Sequence, residues 1–149
     1  MEFEKEIKTT RPIKNEIGKA VLNTMFTGNV FQNQTMEALK PYNINDQHYN
    51  ILRILKGRYP GCACPSDIKE VLVNKRGDLT RLLDKLVKMN LVNRETNAEN
   101  RRMIDVTITQ KGLDLLIELD PLIETVNLKE NLSVEEAKQL NFLLDKLRG

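Results

Sequence analysis

Residues 76–112 read RGDLTRLLDKLVKMNLVNRETNAENRRMIDVTITQKG, and within this run the spacing of apolar residues changes from the period of a helix to that of a strand. Leu79, Leu82, Leu83 and Leu86 stand at i, i+3, i+4 and i+7, one face of a helix, with Gly77, Arg81, Asp84 and Lys88 projecting opposite. Asn90 suits the left-handed position that closes a helix. Leu91-Val92 then opens an extended segment, and Asn93 to Thr109 reads as a hairpin. Its polar tip is Asn97-Ala98-Glu99-Asn100-Arg101-Arg102, and on the return Ile104, Val106 and Ile108 alternate with Asp105 and Thr107, as a strand with one buried face requires. A strongly amphipathic helix followed at once by such a wing predicts a winged helix-turn-helix.

Working outward, a helix follows Pro65 with Ile68, Val71 and Leu72 apolar. After a brief turn the recognition helix is read from Lys75 to Met89, and the two form the helix-turn-helix. Upstream, Asn45 is a good N-cap for a helix burying Tyr49, Ile51, Leu52 and Leu55 and ending before Tyr59-Pro60-Gly61. A long first helix is expected from near Pro12 to Lys40-Pro41, with Ile13, Ile17, Val21, Thr24, Gly28, Phe31 and Met36 on a broad face that Leu22, Phe26 and Val30 widen. Downstream, Thr109 caps a helix carrying Leu113, Leu116, Ile117 and Leu119, with a disturbance expected at Asp120-Pro121. Ser133 to Glu136 is a capping box, opening a last helix with Ala137, Leu140, Leu143, Leu144 and Leu147 inward. The fold class is mainly α with a small β-hairpin wing: a single domain over 1–149, with a winged lobe at 45–109. The outer helices, 1–44 and 110–149, offer more apolar surface than that lobe can cover, so they read as dimerisation helices of a homodimer.

A chain of 149 residues, 40% of them hydrophobic, can bury a core without metals or disulfides. Trp is absent and only 5% of residues are aromatic, so the core is built from aliphatic side chains, which favours helices. No run approaches the roughly 20 apolar residues that span a bilayer, and the charge-alternating N-terminus is unlike a signal peptide; the expected location is the cytoplasm, without membrane partners. Cys62 and Cys64 are too close together to staple distant segments, and with the sole histidine, His48, they are too few for a closed zinc site. No metal and no cofactor is expected. His48 reads as a surface or lobe-interface residue. A thiol near a helix start can react readily, which leaves a redox-sensing role for Cys62 and Cys64 as an alternative. No nucleophile, paired carboxylate or phosphate loop stands out, so no catalytic residue is assigned and the chain does not read as an enzyme.

The net charge is only +2, but between Asn74 and Arg102 eight basic residues face four acidic ones, an excess of +4 that leaves −2 for the rest of the chain. Positive charge concentrated on one helix and its wing points to an anionic partner, double-stranded DNA above all. A basic helix face alone is more often solvated surface. A winged-helix module that binds protein is the rival class, but an apolar anchor on the exposed face, which that class favours, is missing.

The run from Arg76 to Gly112 resembles the MarR family of bacterial transcriptional regulators. The likeness extends over nearly the whole chain and rests most specifically on T-R-L-L-D-K-L, on L-V-N-R leading into the first strand, on the paired Arg101-Arg102 and on T-x-K-G at Thr109 to Gly112. It implies a homodimer whose terminal helices interlock and whose two winged lobes read a palindromic operator, the arrangement of a repressor, under the control of a small-molecule or redox signal. One departure is visible: where many relatives carry an aspartate that orients a wing arginine, this wing has Asn100.

The early turns of a recognition helix meet base edges and later basic residues reach only phosphates. The expected base contacts are therefore Arg76, Gly77, Asp78, Thr80 and Arg81, with Gly77 allowing close backbone approach. Phosphate contacts fall to Lys75, Lys85, Lys88 and Arg94. The wing residues Asn100, Arg101 and Arg102 suit the minor groove, where width and negative potential set the energy.

Overall fold

The structure of the chain, a computed structural model, describes residues 3–127 and 131–149. Their elements run α1 (Phe3–Glu6), α2 (Glu16–Leu39), a 3₁₀ turn (Lys40–Tyr42), α3 (Asp46–Arg58), α4 (Pro65–Val71), α5 (Leu79–Lys88), β1 (Val92–Thr96), β2 (Ile104–Ile108), α6 (Gln110–Asn127) and α7 (Val134–Arg148). The mainly helical class with one antiparallel hairpin is as expected.

Two compact units divide the chain: Thr35–Val126, and a second made of Met1–Gln34 with Asn127–Gly149. The first holds the winged lobe and extends beyond 45–109 at both ends. Its core joins Ile51, Leu52 and Leu55 of α3, Ile68 of α4, Leu82, Leu83 and Leu86 of α5, Val92, Val106 and Ile108 of the hairpin, and Leu116, Leu119 and Ile123 of α6. Each such aliphatic side chain contributes about 1.5–3 kcal/mol by leaving water. The hairpin register pairs Val92 with Ile108 and Thr96 with Ile104, which puts Val92, Val106 and Ile108 on the buried side.

The second unit is anchored locally. Phe3 of α1 meets Phe26 of α2 edge-to-face at 5.7 Å. Glu4 accepts the Ile13 amide at 2.7 Å and pairs with Lys19 at 3.2 Å, contacts that hold its carboxyl below the usual range. Apolar groups in this unit remain uncovered, among them Ile17, Val21, Leu22 and Met25 on α2 and Leu140, Phe142, Leu143 and Leu147 on α7, where no residue is buried. The inward face expected for α7 is therefore open to solvent in the single chain.

Three boundaries differ from expectation. The long helix starts at Glu16 instead of Pro12, because Asn15 Oδ1 accepts the amides of Ile17 and Gly18 at 3.0 and 3.2 Å and so sets the N-terminus. α6 runs through Pro121 without interruption. The third difference, at the start of α5, lies within the site.

Candidate nucleic-acid interface

α5 starts at Leu79, four residues later than the Lys75 expected from sequence and at the first leucine of its apolar stripe. Two polar side chains bracket the turn before it: Asn74 Oδ1 accepts the Arg76 amide at 3.1 Å, and Asp78 Oδ1, as N-cap, accepts the Arg81 amide at 3.4 Å. Lys75, Arg76 and Gly77 thus belong to the turn, and only Thr80 and Arg81 of the expected base contacts lie in the helix. Gly77 is not an open position. It is half-buried, and a Cβ there would meet the far end of the Gln47 side chain, a flexible group that can shift to make room.

The far end of α5 closes as a Schellman motif: Leu91 donates to the Leu86 carbonyl at 3.0 Å and Asn90 to the Val87 carbonyl at 2.9 Å, with Asn90 at φ 58°. The T-x-K-G segment locks this corner. Thr109 Oγ1 donates to the Asn90 carbonyl at 2.7 Å and accepts the Gly112 amide at 3.1 Å. Lys111 Nζ donates to the Met89 carbonyl at 3.0 Å. A Cβ on Gly112 would collide with the Leu91 carbonyl oxygen and lie 2.7 Å from Ile108 Cγ1; only glycine lets α6 leave the hairpin so closely.

The expected phosphate contacts separate into bound and free groups. Arg94 Nη1 is 2.7 Å from Asp84 Oδ1, tying β1 to α5, and Lys85 Nζ donates to Asn43 Oδ1 at 3.3 Å. Among the described residues, no side-chain hydrogen bond or ion pair engages the head groups of Lys75, Arg76, Arg81, Lys88, Arg101 or Arg102, all of which are exposed.

At the wing tip Asn100 Oδ1 accepts the Arg102 amide at 3.2 Å and the Asn100 carbonyl accepts the Met103 amide at 2.9 Å. The larger share of the tip's bonds belongs to Asn97, a residue not singled out from sequence. Its Oδ1 accepts the amides of Glu99 and Asn100 at 2.9 and 2.8 Å, its Nδ2 donates to Asp105 Oδ2 at 2.9 Å, and its own amide donates to the Met103 carbonyl at 3.0 Å. An Asn at the mouth of a tight polar turn was the available signal.

Cys62 is exposed and Cys64, half-buried, is the residue before α4, its Sγ 2.9 Å from Ser66 Oγ. Ala63 between them exchanges two 2.9 Å backbone hydrogen bonds with Val106, a third-strand contact at the base of the wing that period-2 reasoning cannot find in one residue.

His48, expected at a surface or lobe interface, is buried. It sits at the third position of α3, its amide bonded to Asn45 Oδ1 at 2.9 Å and its Nδ1 accepting the Asn45 amide at 3.1 Å, a capping box with histidine in place of the usual Glu or Gln. Burial, and next the Lys85 charge, press its pKa down to about 4. On the same helix Tyr49 donates to Asp120 Oδ1 at 2.7 Å, and Lys56 Nζ reaches Asp120 Oδ2 at 3.0 Å. Burial and that carboxylate push the phenol up to about 12. Asp120 is thus fully used in holding α6 on α3.

This arrangement of helix, turn, capped recognition helix and hairpin recurs in known proteins. The MarR family model matches residues 44–104. Over 114 residues the chain is 31% identical to the multiple antibiotic resistance protein MarR of Escherichia coli K12, spanning 74% of this chain and 78% of that one. The chain belongs to the MarR family. A second relative, the HTH-type transcriptional regulator PapX of Escherichia coli, is 32% identical over 119 residues, covering 78% of this chain and 72% of PapX. In structure, a cysteine-to-serine variant of Escherichia coli MarR in complex with operator DNA superposes with a TM-score of 0.76 at 26% identity, over 92% of this chain and 99% of that one. The MarR winged helix-turn-helix is therefore the fold of this chain, a transcriptional regulator by family.

Proposed function

We propose that this MarR-family regulator acts as a homodimeric repressor in the cytoplasm, binding a palindromic operator in double-stranded DNA through α5, the turn before it and the wing. The observation that carries the reading is a group of six exposed cationic head groups that form no hydrogen bond or ion pair among the described residues: Lys75, Arg76, Arg81, Lys88, Arg101 and Arg102. These six lie together in sequence on the turn, α5 and the wing tip. Arg76, Thr80 and Arg81 read bases; Asp78 and Gly77 shape the approach. Lys75 and Lys88 hold phosphates, joined by Lys85 and Arg94 where DNA competes for their present partners. Arg101 and Arg102 enter the minor groove from a tip that Asn100 helps to form. The uncovered apolar residues of α2 and α7 support dimerisation through the unit made of 1–34 and 127–149. A small-molecule effector would act by changing the separation of the two lobes, which for one DNA turn is about 34 Å.

The test compares Arg81→Ala with Lys88→Ala on a duplex selected from a random pool by the wild-type protein and on an unselected duplex, at one salt concentration. Loss of a bidentate base contact reduces discrimination by about 1–3 kcal/mol, so Arg81→Ala is expected to weaken the selected duplex far more than the unselected one, and Lys88→Ala to weaken both alike. Equal losses for the two variants would overturn these roles, and a monomer at micromolar concentration by light scattering would overturn the dimer. Among the described residues no helix is long and apolar enough to cross a bilayer.

A further inference from the structure

We infer that Asn97 is the positioning residue of the wing: it holds the tip in the one conformation that presents Arg101 and Arg102, through the four hydrogen bonds of its side chain and amide. The inference rests on the proposed minor-groove role of those arginines. A six-residue polar tip free in solution loses conformational freedom when it enters a groove, and that loss is subtracted from affinity. Here most of it is removed beforehand. Asn97 Oδ1 gathers the amides of Glu99 and Asn100, which turns the chain immediately before the arginines. Its Nδ2 is fixed to Asp105 Oδ2 across the hairpin, so the turn is referred to β2, which the Ala63 bridge ties to the lobe. Met103, just beyond the arginines, is bonded at both its amide and its carbonyl, to Asn100 and Asn97. Arg101 and Arg102 are thereby held between two fixed points while their side chains stay exposed.

The geometry also specifies the chemistry required at position 97. The side chain must accept two amides with one atom and donate with the other, because the group opposite is a carboxylate. Asparagine does both. Aspartate would keep the acceptor and place a second negative charge against Asp105 Oδ2, so Asn97→Asp is expected to be more disruptive than its size suggests. In Asn97→Asp/Asp105→Asn, the amide introduced at one position donates to the carboxylate introduced at the other, and the net charge of the wing equals that of the wild type.

The experiment measures affinity by fluorescence anisotropy for the duplex selected by the wild-type protein, with Asn97→Ala, Asn97→Asp and the exchanged pair each made in the wild-type and in the Arg101→Ala/Arg102→Ala background. Hydrogen exchange at the Glu99 and Asn100 amides, and the thermal midpoint, are recorded alongside. Both single variants are expected to lose about five- to tenfold in affinity, the scale of ordering one or two side chains on binding, with faster exchange at the two amides and an unchanged thermal midpoint. The exchanged pair is expected to recover wild-type affinity, and none of the three to have any effect in the arginine-less background. Wild-type affinity for Asn97→Ala, while Arg101→Ala/Arg102→Ala binds weakly, would overturn the inference and leave the wing reading standing. Wild-type affinity for Arg101→Ala/Arg102→Ala would overturn the wing reading, and the inference with it. An Asn97→Ala loss that persists in the arginine-less background would also overturn it, because Asn97 would then act other than through the arginines.

Discussion

Asp84→Asn is expected to tighten DNA binding, although it breaks an ion pair. Arg94 and Asp84 are joined at 2.7 Å, and their side chains are 32% and 53% exposed; a pair so open to solvent contributes only about 0.2–1 kcal/mol to stability. The substitution keeps shape and a hydrogen-bond acceptor while removing the charge that holds the guanidinium to α5. A released Arg94 can neutralise one further phosphate for each lobe engaged, which steepens the dependence of log K on log salt by about 0.9. Extrapolated from 1 M, where such contacts vanish, that slope is a gain of about eightfold per lobe at roughly 0.1 M salt and about fifteenfold at roughly 0.05 M. The assay is anisotropy titration of the selected duplex over a series of salt concentrations, with the unselected duplex as a parallel, since a phosphate contact strengthens both. An unchanged slope, or weaker binding at every salt concentration, would refute the reasoning: Asp84 would then be holding Arg94 where DNA needs it.

Four further outcomes follow from packing and protonation. Gly112→Ala drives a methyl group into the Leu91 carbonyl and Ile108 and is expected to destabilise by about 1–3 kcal/mol. Gly77→Ala meets only the mobile end of Gln47 and is expected to cost less than about 1 kcal/mol in the same denaturant titration; equal costs would contradict the packing. Because the His48 pKa falls to about 4 in the fold from about 6.5 in the unfolded chain, the unfolded state binds the proton first. Stability is therefore full above pH 6.5 or so and lost as pH drops toward about 4, by a few kcal/mol at most. His48→Gln keeps the capping box without titrating and is expected to flatten that part of the stability profile; an unchanged acid limb would place its origin elsewhere. Tyr49→Phe removes the bond to Asp120 and is expected to cost about 1.5 kcal/mol in unfolding free energy; no change would mean that the Tyr49 bond adds nothing to the hold of Lys56 on Asp120.

The elements whose evidence is repeated along the chain are legible in the sequence. The leucine stripe of α5 states one instruction four times, the hairpin alternation states another three times, and Asn45, Asn90, Thr109 and Ser133 each carry a cap whose geometry is local. What escapes is written in single side chains. Asn74 opens the turn and Asp78 caps α5, so the helix starts at Leu79 and not at the Lys75 read from sequence. Pro121 looks like a break until Tyr49 and Lys56, distant in sequence, hold the residue beside it. His48 looks like a surface histidine because its partner is a backbone amide three residues away, in a motif associated with Glu and Gln. The same distinction runs through the site: the excess of charge between Asn74 and Arg102 is visible by counting, whereas which cations are engaged by Asp84 and Asn43, and which are not, depends on contacts that no count contains.

The two hydrogen bonds between Ala63 and Val106 bear on what kind of measuring instrument the lobe is. A two-stranded hairpin standing alone is marginal in water, but Ala63 leads straight into α4 and Val106 lies within β2, so the helix-turn-helix and the wing share a backbone joint. If α5 and Arg101-Arg102 contact DNA as proposed, this is a caliper with its screw tightened: the shared joint opposes separate adjustment of the two jaws. Inserting one base pair between the two contacted sites shifts the second by about 3.4 Å along the axis and roughly a tenth of a turn around it. On the proposed contacts, a site with every contacted base intact and the wrong gauge is expected to bind more weakly because of distance alone.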